Sequence, residues 1–396
     1  MVDAVIDEID GRRIRIGDRW LVDFASCNYL GFDLDPEIIE AVPAYLARWG
    51  THPSWSRLLG SPALYTEIEE QLAELLGAPD TLVLPTITHI HTSVIPVLAG
   101  SGTIFLDSRA HKTIYDGSSI ARGHGAEVLR FRHDDPGHLE DLLRQDTGSP
   151  RLICMDGVNS MTGNAPDIRT YASLAREHGA LLYIDDAHGF GVIGERDERE
   201  LCDYGTRGNG VVRHVDEDYE NVVVVAGFSK AYSSLLAFLA CPTELKGVLK
   251  TAAPPYLYSG PSPIASLATV LEGLRVNESR GDNLRAHVHA MTHRLLEALE
   301  RLQVATPNRS GYPIVEIPLA DPDEIDDIGR YLFDQGIYVT LAAYPLVPKN
   351  EVGFRVQVTA ANTDEEIDLL IDGLTSISHR LASRPKSRSL GVVASG

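Results

Sequence analysis

The chain has 396 residues, of which 44% are hydrophobic, and this length suffices for two or three domains or for one large α/β unit. Its formal net charge of -21 disfavours binding to nucleic acid or to an anionic membrane surface, so neither is expected as a partner. The acidic N-terminus lacks the apolar segment of a signal peptide, and the longest apolar runs are too short to span a bilayer. The cysteines form no CxxC pair and are interpreted as reduced thiols of a cytoplasmic protein; they are Cys27, Cys154, Cys202 and Cys241.

Residues 1–50 are predicted to form an N-terminal segment with a strand pair, Arg13–Ile16 and Trp20–Phe24, and a helix that begins at Pro36. Residues 51–282 are predicted to form a large domain, in which helical patterns such as Thr66–Leu76 alternate with short β-rich runs. The predicted strands of this domain are Thr81–Leu84, Thr103–Leu106, Glu127–Phe131, Arg151–Met155, Leu181–Ile184 and Asn221–Ala226. The alternation predicts an α/β fold with a mostly parallel sheet, in which an active site lies beyond the carboxyl ends of the strands.

Residues 283–382 are predicted to form a smaller C-terminal α+β domain. It begins with a helix over Asn283–Leu302 and continues with strands near Ile314–Ile317 and Phe354–Thr359. A helix over Asp364–Leu381 closes the domain. Residues 383–396 are polar and rich in small residues, a composition that predicts a disordered tail.

Two carboxylates and a histidine follow the predicted strand Leu181–Ile184: Asp185, Asp186 and His188. On their own they are consistent with a polar strand end, with acids that are solvated or hold a metal, because so short a motif often occurs by chance. The functional interpretation therefore depends on what the neighbouring strand delivers.

Lys230 lies four residues beyond the end of the predicted strand Asn221–Ala226. Alone, it is explained by a side chain that runs along apolar surface into water. Together, Lys230 and Asp185 supply what a pyridoxal-phosphate site needs, which is an amine for a Schiff base and an acid for the pyridine nitrogen. A nearby opposite charge shifts the pKa of a titrating group by ~1–3 units, which is enough to keep that nitrogen protonated and the ring electron-accepting.

Further segments occur in an order known from one enzyme family. They are SCNYLG at 26–31, SRLLGS at 56–61, DSRAH at 107–111, FRHD at 131–134, DGVNSMTG at 156–163, DDAHG at 185–189 and SKA at 229–231. In this order they resemble the α-oxoamine synthases, which are fold-type I pyridoxal-phosphate enzymes. The resemblance extends from about residue 24 to 375. It implies pyridoxal 5'-phosphate as cofactor, a large domain with a mostly parallel sheet plus a smaller C-terminal domain, and a homodimer whose active sites take residues from both subunits.

The resemblance also implies roles for the matching residues. Lys230 is implied to hold the cofactor as a Schiff base, Asp185 to face the pyridine nitrogen, and His188 to bind the phenolic oxygen. His111 is implied to stack on the ring, and Ser160 to lie near the phenolic oxygen. The implied catalytic residues are Lys230, His111, Asp185 and His188.

Arg355 aligns with the arginine that binds the amino-acid carboxylate, a task that suits a planar guanidinium, and Asn28 is the second candidate for substrate contact. Structural alternatives stay open, since His111 is also explained as an ordinary loop histidine and Arg355 as a strand arginine. Asp156 and Asp186 are equally explained as residues that cap turns.

The segments expected to bind the cofactor phosphate depart from the family. Thr86, Ile87 and Thr88 replace a Ser-Gly-aromatic turn, Gly227 replaces a threonine, and Ser259 stands in a segment where relatives contribute a threonine to the partner subunit's site. The hydroxyls of Thr86, Thr88, Ser229 and Ser259 are predicted to replace these groups, because each lost hydroxyl removes a hydrogen bond to a charged group worth ~1.5–3 kcal/mol.

The nearby His89 and His91 are interpreted as polar residues at a helix start. No third metal ligand is visible in the sequence around them, so no metal is expected.

The predicted reaction is the decarboxylative condensation of a small α-amino acid with an acyl thioester, carried on coenzyme A or on a carrier protein, to give an α-amino ketone. One alternative is an aminotransferase or a decarboxylase on the same fold. Another is a catalytically degenerate partner subunit, which the altered phosphate segments favour and the retained Lys230, Asp185 and His188 disfavour.

Overall fold

The computed structural model describes residues 3–345 and 347–381. Three short antiparallel strands lie at the N-terminus, namely β1 (Glu8–Asp10), β2 (Arg13–Ile16) and β3 (Arg19–Asp23). The predicted strand pair is confirmed. The tail predicted to be disordered lies outside the described residues.

A seven-stranded sheet forms the centre of the large domain. Its strands are β4 (Asp80–Leu84), β5 (Thr103–Asp107), β6 (Glu127–Phe131), β7 (Arg151–Asp156), β8 (Leu181–Asp185), β9 (Val222–Gly227) and β10 (Ala237–Cys241). They lie in the order β4-β10-β9-β8-β7-β5-β6, and β10 alone runs antiparallel to its neighbours. Central strands of such sheets are buried on both faces, and the continuous valines at 222–225 meet that requirement.

Helices cover both faces of this sheet. They are α1 (Pro36–Trp49), α2 (Ala63–Leu76), α3 (Ile87–Ala99), α4 (Lys112–Gly123), α5 (Pro136–Gln145), α6 (Ile168–Glu177), α7 (Gly210–His214), α8 (Thr243–Ala252), α9 (Pro254–Leu257) and α10 (Ile264–Arg301). Two buried apolar clusters, one on each face of the sheet, hold the helices in place. Several helices begin at a side-chain cap, for example Thr86 before α3, whose hydroxyl accepts a hydrogen bond from the His89 amide at 3.2 Å.

The C-terminal part is a smaller α+β unit with its own apolar core. Its elements are β11 (Ile314–Pro318), α11 (Ile325–Asp334), β12 (Ile337–Tyr338), β13 (Thr340–Ala342), β14 (Gly353–Gln357), α12 (Asp364–Ser376) and α13 (Ser378–Leu381), with 3-10 turns at Pro322–Glu324 and Lys349–Glu351. The strands β11, β14 and β13 form one sheet, and β12 pairs in parallel with β3 of the N-terminal segment.

The main differences from the sequence-based elements concern β10 and α10. The apolar run that contains β10 was not predicted as a strand, and the helix predicted from Asn283 begins at Ile264. The proposed domain boundary after residue 282 therefore falls inside α10, and the division into domains stays a prediction. Across the described ranges no helix is long and apolar enough to cross a membrane.

The carboxyl ends of β7, β8 and β9 lie side by side. In this register Asp156 pairs with Asp185, and Asp185 pairs with Val225, two residues before the end of β9. The loops that follow these strands carry His188 and Lys230. The fold therefore gathers the polar groups of three separate motifs at one edge of the sheet.

Candidate active site

A cavity of about 180 Å³ lies at this edge of the sheet. It is lined by Thr86, Ile87, Thr88, His111, Thr113, Asp156, Val158, Ser160, Asp185, Ala187, His188, Ser229 and Lys230. All four predicted catalytic residues and nine of the ten predicted cofactor-binding residues are in this set, with Ser259 as the exception.

Asp185 is buried at the end of β8, and both of its carboxylate oxygens accept hydrogen bonds from the protein. Oδ1 accepts from the Ala187 amide at 3.0 Å, and Oδ2 lies 3.0 Å from Nε2 of His91. Burial by itself raises the pKa of Asp185, but the hydrogen bond from His91 and the charge of Lys230 outweigh it and lower the pKa below its usual value. Asp185 is therefore an anion in the wall of the cavity.

His91 comes from α3 and is fully buried, whereas His89, two residues earlier, is exposed. Nδ1 of His91 lies 3.2 Å from the hydroxyl of Tyr183. The interpretation of both histidines as polar residues at a helix start therefore fits His89 only. The apolar residues on the buried face of α3 are Ile87, Ile90, Val94 and Ile95. Their helical spacing is the sequence signal that identifies His91 as an inward-facing residue. In the described ranges no group of three or more acidic, histidine or cysteine side chains is arranged to hold a metal ion.

Lys230 lies in the loop after β9, and a short turn at Phe228 and Ser229 precedes it. Its side chain is half-buried, lines the cavity, and forms no ion pair with the described part of the chain. An amine without a salt-bridge partner is available to form a covalent bond with a carbonyl carbon. Lys230 and Asp185 thus face the same cavity from adjacent strands, as predicted.

His188 is buried, and its Nδ1 lies 2.8 Å from the hydroxyl of Tyr29. Burial lowers the pKa of His188 well below its usual value, and the charges of Lys230 and Arg355 lower it further. The ring is therefore neutral at physiological pH. Tyr29 belongs to the SCNYLG segment, but its contact with His188 joins residues 159 positions apart, so the sequence alone did not identify it.

His111 is the N-cap of α4 and stands exposed at the mouth of the cavity. Its backbone amide donates to Oδ1 of Asp156 at 2.9 Å, and its Nδ1 lies 2.8 Å from the hydroxyl of Thr113. Partial burial lowers the pKa of His111, and the negative charge of Asp185 opposes this by raising it. Asp156 thus orients the segment that carries His111.

Asp156 and Asp186, whose roles the sequence left open, have different surroundings in the structure. Asp156 lines the cavity, and its buried Oδ2 has no hydrogen-bond partner among the described residues. Asp186 points the other way, and its Oδ2 accepts from the Val211 amide at 2.9 Å. Asp186 therefore fixes the first turn of α7, which is the structural alternative.

The opposite end of the cavity is formed by the N-terminus of α3 and by Ser229. Exposed backbone amides at a helix start favour an anion, so this end fits a phosphate. A Cβ atom at Gly227 would lie 2.7 Å from Cδ1 of Ile87, which excludes a larger side chain without rearrangement. A threonine at 227 would therefore require Ile87 to move, so the glycine at 227 suits the isoleucine at 87.

The remaining candidates lie outside the cavity wall. Arg355, on β14, is half-buried and its Nη1 donates to the carbonyl of Ser160 at 2.8 Å, so it is one residue removed from the lining. Asn28 donates to Oδ2 of Asp33 at 2.9 Å, within a polar cluster that includes Arg12. Ser259 follows α9 and is absent from the described lining. The roles of these three residues stay predictions.

A family model, aminotransferase class I and II, matches residues 20–374. The chain therefore belongs to this family, and its fold is that of the fold-type I pyridoxal-phosphate transferases.

Its relatives are more specific. It is 31% identical over 373 residues to 8-amino-7-oxononanoate synthase of Pseudomonas putida, a match that covers 93% of this chain and 91% of the relative. It is 32% identical over 348 residues to serine palmitoyltransferase of Caulobacter vibrioides, covering 87% and 82% of the two chains. The solved serine palmitoyltransferase of Sphingomonas wittichii superposes with a TM-score of 0.87 at 26% identity and covers 97% of this chain and 94% of that one. Both named activities belong to the α-oxoamine synthases, so the predicted resemblance is confirmed.

Proposed function

We propose that the chain is a pyridoxal-phosphate-dependent acyltransferase, which condenses a small α-amino acid with an acyl thioester and releases carbon dioxide. The observation that carries the proposal is the placement of the unpaired amine of Lys230 and the anionic carboxylate of Asp185 in the wall of one cavity. The relatives with these activities match nearly the whole chain, and that coverage favours condensation over aminotransfer.

The residues of the cavity fit the cofactor at each of its polar positions. Asp185 would hold the ring nitrogen, His188 and Ser160 the phenolic oxygen, and the start of α3 with Ser229 the phosphate. When bound, pyridoxal phosphate supplies an aldehyde carbon that reacts with amines and a ring that accepts electrons from the broken bond. The anionic Asp185 is essential to this chemistry because it keeps the ring nitrogen protonated.

Arg355 and Lys230 are proposed to bind the substrate and to transfer its proton. Arg355 would bind the substrate carboxylate, and the Lys230 amine would take the α-proton of the substrate. The α-carbon would then form a bond to the acyl carbon, whose bond to sulfur breaks and releases a thiolate, which takes a proton from water to give the thiol. The bond to the carboxylate breaks next and releases carbon dioxide, and a proton returned from Lys230 to the α-carbon completes the α-amino ketone.

The test is incubation of the purified enzyme with a panel of amino acids, with and without acyl thioesters of coenzyme A and of a carrier protein. Carbon dioxide and free thiol are expected in equal amounts, and only when both substrates are present. K230A serves as the matched control, since it removes the amine and leaves the cavity in place. Rapid transamination of a keto acid without thioester would contradict the proposal in favour of an aminotransferase. Absence of a visible cofactor band would favour a degenerate subunit.

We also infer a homodimer. Large apolar side chains stand exposed on two neighbouring loops: Trp55 is 56% exposed, and Leu59 and Tyr258 are each 80% exposed. His52 joins the loops, because its Nε2 lies 2.8 Å from the carbonyl of Pro261. Exposed apolar groups in such a cluster favour a protein interface.

Ser259 lies within this surface, next to Tyr258, and is proposed to complete the phosphate site of the partner subunit. Mixing K230A subunits with S259A subunits tests this proposal. If Ser259 acts across the interface, the mixed dimer holds both lesions in one site and one intact site in the other, so activity returns in part. No recovery above the parent variants would contradict action across the interface.

A further inference from the structure

Two carboxylates share the edge of the sheet beneath the cavity. Asp156 and Asp185 are paired in register at the ends of β7 and β8, and both line the cavity. Like charges this close in a buried place are not both retained at low cost. Burial, and then the charge of Asp185, raise the pKa of Asp156 well above its usual value. Some feature of the protein must therefore decide that Asp185 is the carboxylate that stays charged.

His91 is the group that distinguishes the two aspartates. It is fully buried, and its Nε2 lies 3.0 Å from Oδ2 of Asp185, whereas Oδ2 of Asp156 has no partner among the described residues. A histidine in the core normally needs partners for both ring nitrogens, because a buried polar group without one is costly. The second partner of His91 is the Tyr183 hydroxyl, 3.2 Å from Nδ1.

Secondary structure brings these three groups into line. Tyr183 and Asp185 are two residues apart on β8, so their side chains leave the same face of the sheet. The helix α3 packs on that face, where Tyr183 shares an apolar cluster with Ile90 and Val94. His91 follows Ile90 on the buried side of the helix and reaches between the tyrosine and the aspartate.

The direction of the hydrogen bonds follows from Tyr183 and Asp185 together. Tyr183 is fully buried, and this burial raises the pKa of its phenol well above the usual value. The hydroxyl therefore keeps its proton and can donate it. The ionised Asp185 carboxylate can only accept, so Nε2 of His91 carries the imidazole proton directed at Asp185, and Nδ1 accepts from Tyr183.

We propose that His91 is a positioning residue, oriented by Tyr183, that keeps the Asp185 carboxylate ionised and fixed toward the nitrogen of the cofactor ring. The inference rests on the proposed function, since it assigns the cofactor to this cavity. It explains why a histidine lies at the centre of an otherwise apolar helix face, and it adds two residues to the site that the sequence motifs did not include.

The experiment uses holoenzyme reconstituted with pyridoxal phosphate that carries nitrogen-15 in its ring, and it reads the nitrogen chemical shift, which reports protonation. The variants are H91N, H91F, H91Q and Y183F. Glutamine places an N–H near the position of Nε2, whereas asparagine is too short and phenylalanine has no donor. H89N is the matched control, because His89 lies on the same helix but is exposed.

Wild type and H89N are expected to show a protonated ring nitrogen. H91N and H91F should show an unprotonated one, with cofactor affinity and turnover lower by about 10- to 100-fold, because a hydrogen bond to a buried charge is lost. H91Q should retain much of the protonated signal, and Y183F should lie between wild type and H91N.

A protonated signal and turnover within about two-fold of wild type in H91N and H91F would overturn the inference. Thermal unfolding of each apoprotein identifies any variant that fails to fold. If H91N and H91F both fail to fold, Y183F provides the test, since it removes one hydroxyl only. An unchanged nitrogen signal and unchanged turnover in Y183F would then overturn the inference. An unprotonated nitrogen in the wild type, or no bound cofactor, would instead contradict the proposed function itself.

Discussion

At one end of the cavity, here called the ring end, Asp185 is buried and each of its oxygens accepts a hydrogen bond from the protein. At the phosphate end, formed by Thr86, Ile87, Thr88 and Ser229, the residues Thr88 and Ser229 are exposed. The ring end agrees with the family motif, and the phosphate end departs from it. A buried charge tolerates little change because its partners are few and fixed, whereas an exposed anion site can exchange one hydroxyl for another.

The largest expected effect comes from the residue between the two ends. K230A removes the only group proposed to bond covalently to the cofactor, so turnover should fall below detection while weak cofactor binding persists. Borohydride reduction of the wild-type holoenzyme, followed by peptide mass spectrometry, should place the label on Lys230. A label on another lysine would refute the assignment.

At the ring end, D185N keeps the shape of the side chain and removes its charge. Turnover should fall by roughly 10- to 1,000-fold, because a charge partner changes the pKa of the ring nitrogen by about 1–3 units. Steady-state kinetics with saturating cofactor measure this loss. H188N should be milder, since His188 is neutral and does not hold a charge. A D185N enzyme within a few-fold of wild type would show that the ring end needs no anion.

At the phosphate end, single changes should act on binding more than on chemistry. T86A, T88A and S229A should each raise the dissociation constant of the cofactor by about 10-fold, the lower range for a hydrogen bond to a charged group, because these side chains are partly solvated. Turnover at saturating cofactor should change little. Equilibrium titration, followed by the visible band, measures affinity. Unchanged affinity in all three variants would exclude these hydroxyls as phosphate ligands.

The contact between Gly227 and Ile87 gives a sharper test of the phosphate end. G227T places a side chain where Cδ1 of Ile87 lies 2.7 Å from the new Cβ, so it should destabilise the protein by about 1–3 kcal/mol and weaken cofactor binding. The double variant I87A/G227T removes the clash and should recover stability and affinity. The double-mutant cycle measures this coupling. Additive losses would show that the two positions changed independently.

The ends of the cavity also differ in how far the sequence could define them. Lys230, Asp185 and His188 follow predicted strand ends, and these motifs together with the family resemblance predicted that they share one site; all three line the cavity. His91 and Tyr29 become part of the site only through contacts with residues 94 and 159 positions away. The periodicity of α3 indicates that His91 faces inward, but the partners of such residues depend on tertiary packing, which local patterns do not specify.

The same limit explains the errors in the fold. The strand β10 was missed because a short apolar run is compatible with strand or helix, and only its antiparallel pairing with β4 and β9 decides. The helix α10 begins 19 residues before its predicted start at Asn283. The additional stretch includes Gly273 and Gly281, and glycine disfavours helix in isolation. Side chains pack so closely there that a Cβ at Gly281 would lie 2.4 Å from Oδ1 of Asn277. Tertiary packing therefore overrides the local preference.

The smallest expected effect on cofactor binding and activity distinguishes the two adjacent aspartates at the end of β8. The pKa of Asp185 is lowered, whereas burial raises the pKa of Asp186 to about 8, against the opposing hydrogen bonds from the Val211 and Gly189 amides. The folded state therefore holds a proton on Asp186 that the unfolded chain releases near pH 4. Between these values the folded state binds more protons, so the free energy of unfolding falls as the pH rises from about 4 to about 8, and it levels off above. D186N has no proton to lose and should flatten this slope while leaving the cofactor spectrum unchanged. Chemical denaturation of the apoprotein at several pH values measures the slope, and an identical pH profile in D186N and wild type would show that Asp186 is ionised in the fold.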